Sequence, residues 1–201
     1  MNNSIPTQTL PILEWPHPVL RSPAAKVLEF NEQLKDRIEE MWHTMYTAPG
    51  IGLAAPQIGD PRRMFVMDCS PRYEVARRFV CINPEFLDRR GSVDSTEGCL
   101  SFPGLSVVVP RSTHVTLRAQ DLSEAWFEVQ LTGLEAICAQ HEYDHLEGRS
   151  FLDLLSPLDR LTALQNYVEE VSRSERDDTA HTLSILEPLV IEALEQVFTQ
   201  D

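Results

Sequence analysis

Residues 141–145 read His-Glu-Tyr-Asp-His, two imidazoles four positions apart with a carboxylate directly after the first. On a helix, residues four apart sit one above the other, so His141 and His145 would reach one metal ion. Glu142 would lie about 100° further round, where its carboxylate can take a proton from a metal-bound water. This is the pattern of a metal-dependent hydrolase. Catalytic sites of that kind use three protein ligands and keep a position open for water. A third donor must therefore come from elsewhere in the chain.

Proteases with a third histidine continue as His-Glu-x-x-His-x-x-Gly-x-x-His. Gly148 fills the glycine place, but Phe151 stands where the last histidine is needed. Glu169 or Glu170 would serve in a protease with a downstream glutamate, yet both belong to an acidic amphipathic stretch, where a solvated face explains them. Cys138 shares the helix face with both histidines. It lies seven residues from His145, roughly 10 Å along the axis, against metal–ligand bonds of about 2.0–2.3 Å. Cys138 is better placed, with Leu134 and Ile137, as an apolar wall beside the metal. Cys99, in "STEGCLSFPG", follows a glycine in a turn-prone segment, where a thiolate would bind a divalent metal strongly. The residues alone leave Cys99 open between a ligand and a buried free thiol.

These groups need elements to hold them. The histidine segment is a helix with readable ends: Thr132-Gly-Leu-Glu135 has the spacing of a capping box, and Gly148 suits the stop. Upstream, Leu34, Ile38, Met41, Trp42 and Met45 fall on one face of a helix capped by Asn31 and stopped at Pro49-Gly50. Short β-like runs follow at 64–68, 79–84, 106–110, 114–121 and 127–131. Two amphipathic stretches close the chain, one after Ser156-Pro157 with Leu158, Leu161, Leu164, Val168 and Val171 on one face, the other over roughly 187–199. The reading is α+β: antiparallel or mixed sheets around a central metal-binding helix, with extra C-terminal helices. Residues 1–155 are expected to be the catalytic domain. Residues 156–201 are expected to be an acidic helical extension, packed on that domain or on a partner subunit.

Composition narrows the partners. Seventeen basic against 31 acidic residues give a net charge of −14, which repels polyanions and disfavours direct nucleic-acid binding. From Ser156 onward, ten acids face three bases. Cys69, Cys81, Cys99 and Cys138 form no CxxC pair and read as free thiols in a reducing compartment, with Cys69 and Cys81 as buried packing residues. His17, His43, His114 and His181 are read as ordinary histidines. No signal-peptide pattern and no membrane-spanning run is visible, so the cytoplasm is expected.

With "GIGLAAPQIG", "EGCLS" and "QHEYDHLEG" in that order, the chain resembles the peptide deformylases from about Leu10 to about Arg160. The resemblance implies an α+β fold and removal of the formyl group from the N-terminal formyl-methionine of nascent peptides. It implies Cys99, His141 and His145 as metal ligands, with iron(II) as the metal and zinc, nickel or cobalt as substitutes. Glu142 becomes the general base that activates the metal-bound water. Gln57 and the Leu100 backbone N–H become oxyanion donors. Gly50 and Gly52 let the loop backbone approach the substrate, and Ile51, Leu134, Ile137 and Cys138 resemble the family's methionine pocket. Glu97 and Arg111 are either an internal ion pair steadying the Cys99 turn or two unrelated surface charges. Some members carry a basic residue after "EGCLS" that helps hold substrate; here no charge precedes Arg111. Some members dock on the ribosome through a basic C-terminal helix; here ribosome contact stays open, but not through this acidic tail. Monomer and homodimer both remain open.

Overall fold

The computed structural model describes residues 9–70, 75–173 and 179–198. Residues 1–8, part of the polar break after α3 and the side chain of His181 lie outside the described residues. Helix α1 (Glu32–Thr47) begins where expected: the Asn31 side chain accepts the Leu34 N–H at 3.0 Å, satisfying a donor that the first turn leaves free. Its apolar face, Leu34 to Met45, packs on Leu53 of strand β1 (Gly52–Ala54) and Val66 of β2 (Met64–Asp68). All five β2 residues are buried, which is why "MFVMD" is a nearly unbroken apolar run without alternation.

The chain continues through β3 (Arg78–Arg90), β4 (Val93–Cys99), β5 (Phe102–Arg111), β6 (His114–Gln120) and β7 (Trp126–Thr132). Five strands form one sheet in the order β1-β2-β3-β6-β7, every pair antiparallel. β4 and β5 form a separate antiparallel ribbon, with Cys99 opposite Phe102. Neither β1 nor β4 was expected from the pattern. β1 is too short to show a period, and β4 is polar and largely exposed.

Helix α2 (Gly133–Leu146) carries the His-Glu-x-x-His segment and is buried on more than one side. Ala136, Ala139 and Leu146 pack with Phe65, Cys81, Leu117 and Leu131 of the large sheet. Thr132 is its N-cap residue, but the side chain makes no capping bond. The expected capping box is absent because Glu135 turns to Arg77, 2.7 Å from its carboxylate. Gly148 ends the segment at φ +67°, a left-handed conformation that favours glycine.

Helices α3 (Pro157–Arg173) and α4 (Thr179–Phe198) follow. Tyr167 of α3 is fully buried with Trp15, Phe102 and Phe151, and its hydroxyl donates to the Trp15 carbonyl at 3.1 Å. Leu186 and Ala193 of α4 join the same cluster. α4 starts well before residue 187, with Pro188 inside it, although a proline more often marks a first turn. Among the described residues, no helix is long and apolar enough to cross a membrane.

Candidate metal centre and substrate cleft

Cys99 reaches the histidines from the end of β4, where the register slips between Gly98 and Cys99. Such an irregularity re-aims a side chain. One ligand atom each from Cys99, His141 and His145 lies within 4.8 Å of the other two, and Cys99 Sγ is 3.3 Å from His145 Nε2. Cys99 Sγ also accepts the Ser101 N–H at 3.4 Å and lies 3.6 Å from Gln57 Nε2. Gln57 is oriented by its own oxygen, which accepts the Ala54 N–H at 2.8 Å.

Buried polar groups are normally hydrogen-bonded, and most of those on α2 obey. Gln140 accepts the Ser112 N–H at 3.0 Å and donates to the Ser112 carbonyl at 2.9 Å. Asp144 accepts Arg111 Nη1 at 2.6 Å. Arg111, 4% exposed at its side chain, also grips both Glu97 oxygens, at 2.8 and 2.9 Å. The second of those oxygens is 2.9 Å from His141 Nδ1. This carboxylate–histidine pair fixes the ring and leaves Nε2 as its other nitrogen. Among the described residues, three buried side-chain atoms lack a hydrogen-bond partner, and two belong to the motif: Glu142 Oε2 and His145 Nδ1.

The electrostatics follow from burial. Desolvation pushes Glu142 up to about 7, into the range where a carboxyl both accepts and returns protons near neutrality. Burial acts the same way on Glu97, but hydrogen bonds from His141 and Arg111 overcome it and hold that group at about 2. Burial, with His141 and Arg111 adding to it, lowers His145 well below an ordinary histidine and keeps it neutral. Burial would lower His141 too, but Cys99, Glu97 and Glu142 raise it. A bound cation would reverse that effect by displacing the proton.

A cleft of about 530 Å³ opens on this cluster. Its walls bring together the expected Gly50, Ile51, Gly52, Gln57, Leu100, Leu134, Ile137 and Cys138 with Cys99, His141 and Glu142. Ile51 and Leu134 are 42% and 52% exposed, apolar surface that a ligand would cover. Cys138 is a wall residue, its thiol held protonated by Cys69 and by burial. Gly52 is required by close approach. A Cβ there would collide with Glu142 Oε1 and lie 2.8 Å from Cys138 Sγ.

One sulfur and two nitrogen donors suit a borderline or soft divalent ion such as iron(II) or zinc, not the hard ions that prefer oxygen. Glu169 and Glu170 are not in the donor cluster, and neither are His17, His43 and His114. Cys81 is buried as expected, whereas Cys69 is half-buried, because it lies just past the end of β2. Glu97 and Arg111 are an internal ion pair. Asp144 was missed: 33 residues separate it from Arg111, and no local spacing signals the contact.

A helix-borne metal site beside a half-buried apolar cleft, with a buried carboxylate that has one unpartnered oxygen, defines a metal-dependent hydrolase. The comparisons say which kind. The family model described as Polypeptide deformylase matches residues 9–161, so the chain belongs to the peptide deformylase family. It is 45% identical over 150 residues to the peptide deformylase of Acidobacterium capsulatum, covering 75% of this chain and 88% of that one. It is 42% identical over 168 residues to that of Tolumonas auensis, covering 84% and 99%. The crystal structure of a peptide deformylase from Legionella pneumophila superposes with a TM-score of 0.75 at 39% identity, covering 83% of this chain and 99% of that one.

Proposed function

We propose that this chain hydrolyses the N-formyl group of formyl-methionine on new peptides, with Cys99, His141 and His145 holding the metal and Glu142 carrying the proton. The observation that supports it best is Glu142 itself: buried, one oxygen unpartnered, pushed up to about 7, and set beside three converging donors. When bound, an iron(II), zinc, nickel or cobalt ion would polarise a water molecule and lower its pKa toward neutrality. Iron(II) is proposed as the native ion. Glu142 accepts a proton from the water that adds to the formyl carbon, then gives it to the methionine nitrogen as the C–N bond breaks. Formate and a free amine result.

The Gln57 amide and the Leu100 N–H are assigned to the formyl oxygen as negative charge develops there. The hydrogen bond from Ala54 leaves the Gln57 NH₂ facing Cys99 and Ser101. Ile51, Leu134, Ile137 and Cys138 receive the methionine side chain, which is flexible and apolar. The 156–201 extension is proposed to be part of the catalytic body, since Tyr167 and Leu186 share a core with Trp15 and Phe102. The proposed place of action is the cytoplasm, with nascent chains as partners and no RNA contact through the acidic tail.

The deciding assay offers formyl-Met peptides beside unblocked ones. Formate release without backbone cleavage is expected, whereas cleavage of unblocked peptides would indicate a metallopeptidase. Glu142→Ala should keep its metal and lose roughly 10²–10⁴ in rate. Cys99→Ala should lose the metal, and unchanged metal content in that variant would remove Cys99 from the ligand set.

A further inference from the structure

Glu170 lies beyond the part of the chain that matches the family, which ends at residue 161, yet α3 brings its side chain against Gly104, a residue of the cleft wall. Gly104 of β5 is exposed at the cleft wall with φ +79°. A Cβ built on it would meet Glu170 Cγ at 2.6 Å, Cδ at 2.7 Å and Oε1 at 2.8 Å. The glycine is what admits this side chain. Among the described residues, no cation pairs with the Glu170 carboxylate, although its neighbour Glu169 pairs with Arg173 at 2.9 Å. The cleft wall contains no Lys or Arg, and no charged residue separates Cys99 from Arg111 in the sequence.

The path of a substrate follows from the assigned function, on which this step rests. With the formyl carbon at Glu142 and the methionine side chain against α2, later residues must run along the walls that remain, the 49–52 loop and the β4–β5 ribbon. Gly104 lies two strand residues past Phe102, the partner of Cys99, a distance of roughly 7 Å. An extended peptide covers that in about two residues. We propose that Glu170 is a specificity residue which favours a cationic side chain at the second or third position of the formylated peptide.

An exposed ion pair is worth about 0.2–1 kcal/mol, so the expected preference is modest. Formyl-Met-Ala-Lys should exceed formyl-Met-Ala-Glu in kcat/KM by roughly two- to five-fold at low salt, chiefly through KM, or the same should hold for formyl-Met-Lys-Ala against formyl-Met-Glu-Ala. The ratio should shrink as salt rises. Glu170→Gln keeps the stem that packs on Gly104 and should bring the ratio to about one, while Glu170→Asp should restore part of it. An equal ratio at both positions in the unsubstituted protein, or a ratio that Glu170→Gln leaves intact, overturns the inference alone. Absence of formate from every peptide, formyl-Met-Ala-Gln included, overturns the deformylase reading and this inference with it.

Discussion

Gly52 is a residue whose importance lies in what it lacks. Its Cα faces the two groups of α2 that matter most to the cleft, the Glu142 carboxylate and the Cys138 thiol. Neither can give way cheaply, since both are buried and Glu142 must keep its aim at the donor cluster. Gly52→Ala should therefore displace Glu142, the proposed proton carrier, while leaving Cys99, His141 and His145 in place. A displacement of about 1 Å costs on the order of 100-fold in rate. Formate release should fall by that amount with metal content unchanged, and a fully active variant would show that the loop moves instead. The convergence of His141 and His145 beside Glu142 was legible from spacing alone, because a helix turns a four-residue interval into a shared face. Cys99 was not. Its approach depends on a strand pairing and a register slip 42 residues upstream of His141, and local pattern records neither; the family resemblance supplied it.

Helix α2 shows how an element can be core and still carry the candidate site. It buries Gln140, Asp144 and Glu142 along with Ala136 and Ala139, and the first two are tolerated because β5 and the turn after it supply their partners. Arg111 is central, since it joins Glu97 and Asp144 and through Glu97 fixes His141. Arg111→Ala would strip two buried carboxylates of their shared cation, leaving Glu97 with His141 and Asp144 with Arg149 at 3.5 Å, a loss of about 3–5 kcal/mol. Metal affinity should also fall, by up to roughly 10- to 100-fold, as Glu97, the partner of His141, loses the guanidinium that holds it. Urea denaturation and metal titration measure the two effects, and stability within about 1 kcal/mol of the parent would show that water replaces the guanidinium. At this scale the helices and the buried strands could be read from their apolar periods. The ribbon could not be read in full, because β4 is stabilised by its pairing with β5 and by the Glu97 network, not by an apolar face.

Across the whole molecule, the question is whether the C-terminal helices are an appendage or a part of the body. Tyr167 argues for the second. It is fully buried between Trp15, from the start of the chain, and Phe102, three residues past Cys99, with ring centroids 6.3 and 5.3 Å away. Removing α3 would expose that aromatic cluster beside the strand that positions Cys99, and a lost aromatic side chain alone costs about 3–5 kcal/mol. Such a loss is a large share of the whole stability of a typical domain, about 5–15 kcal/mol. A chain ending at Leu155 is therefore expected to lose cooperative unfolding, metal and formate release together. A chain ending at Arg173 keeps Tyr167 and Glu170 but gives up Leu186 and Ala193, so it should melt at a lower temperature and still release formate. If the shorter chain folded and worked as well as the full one, the extension would be an appendage, and its acidic charge would need a partner outside the molecule. The buried Tyr167 hydroxyl, bonded to the Trp15 carbonyl across 152 residues of sequence, points to the first outcome.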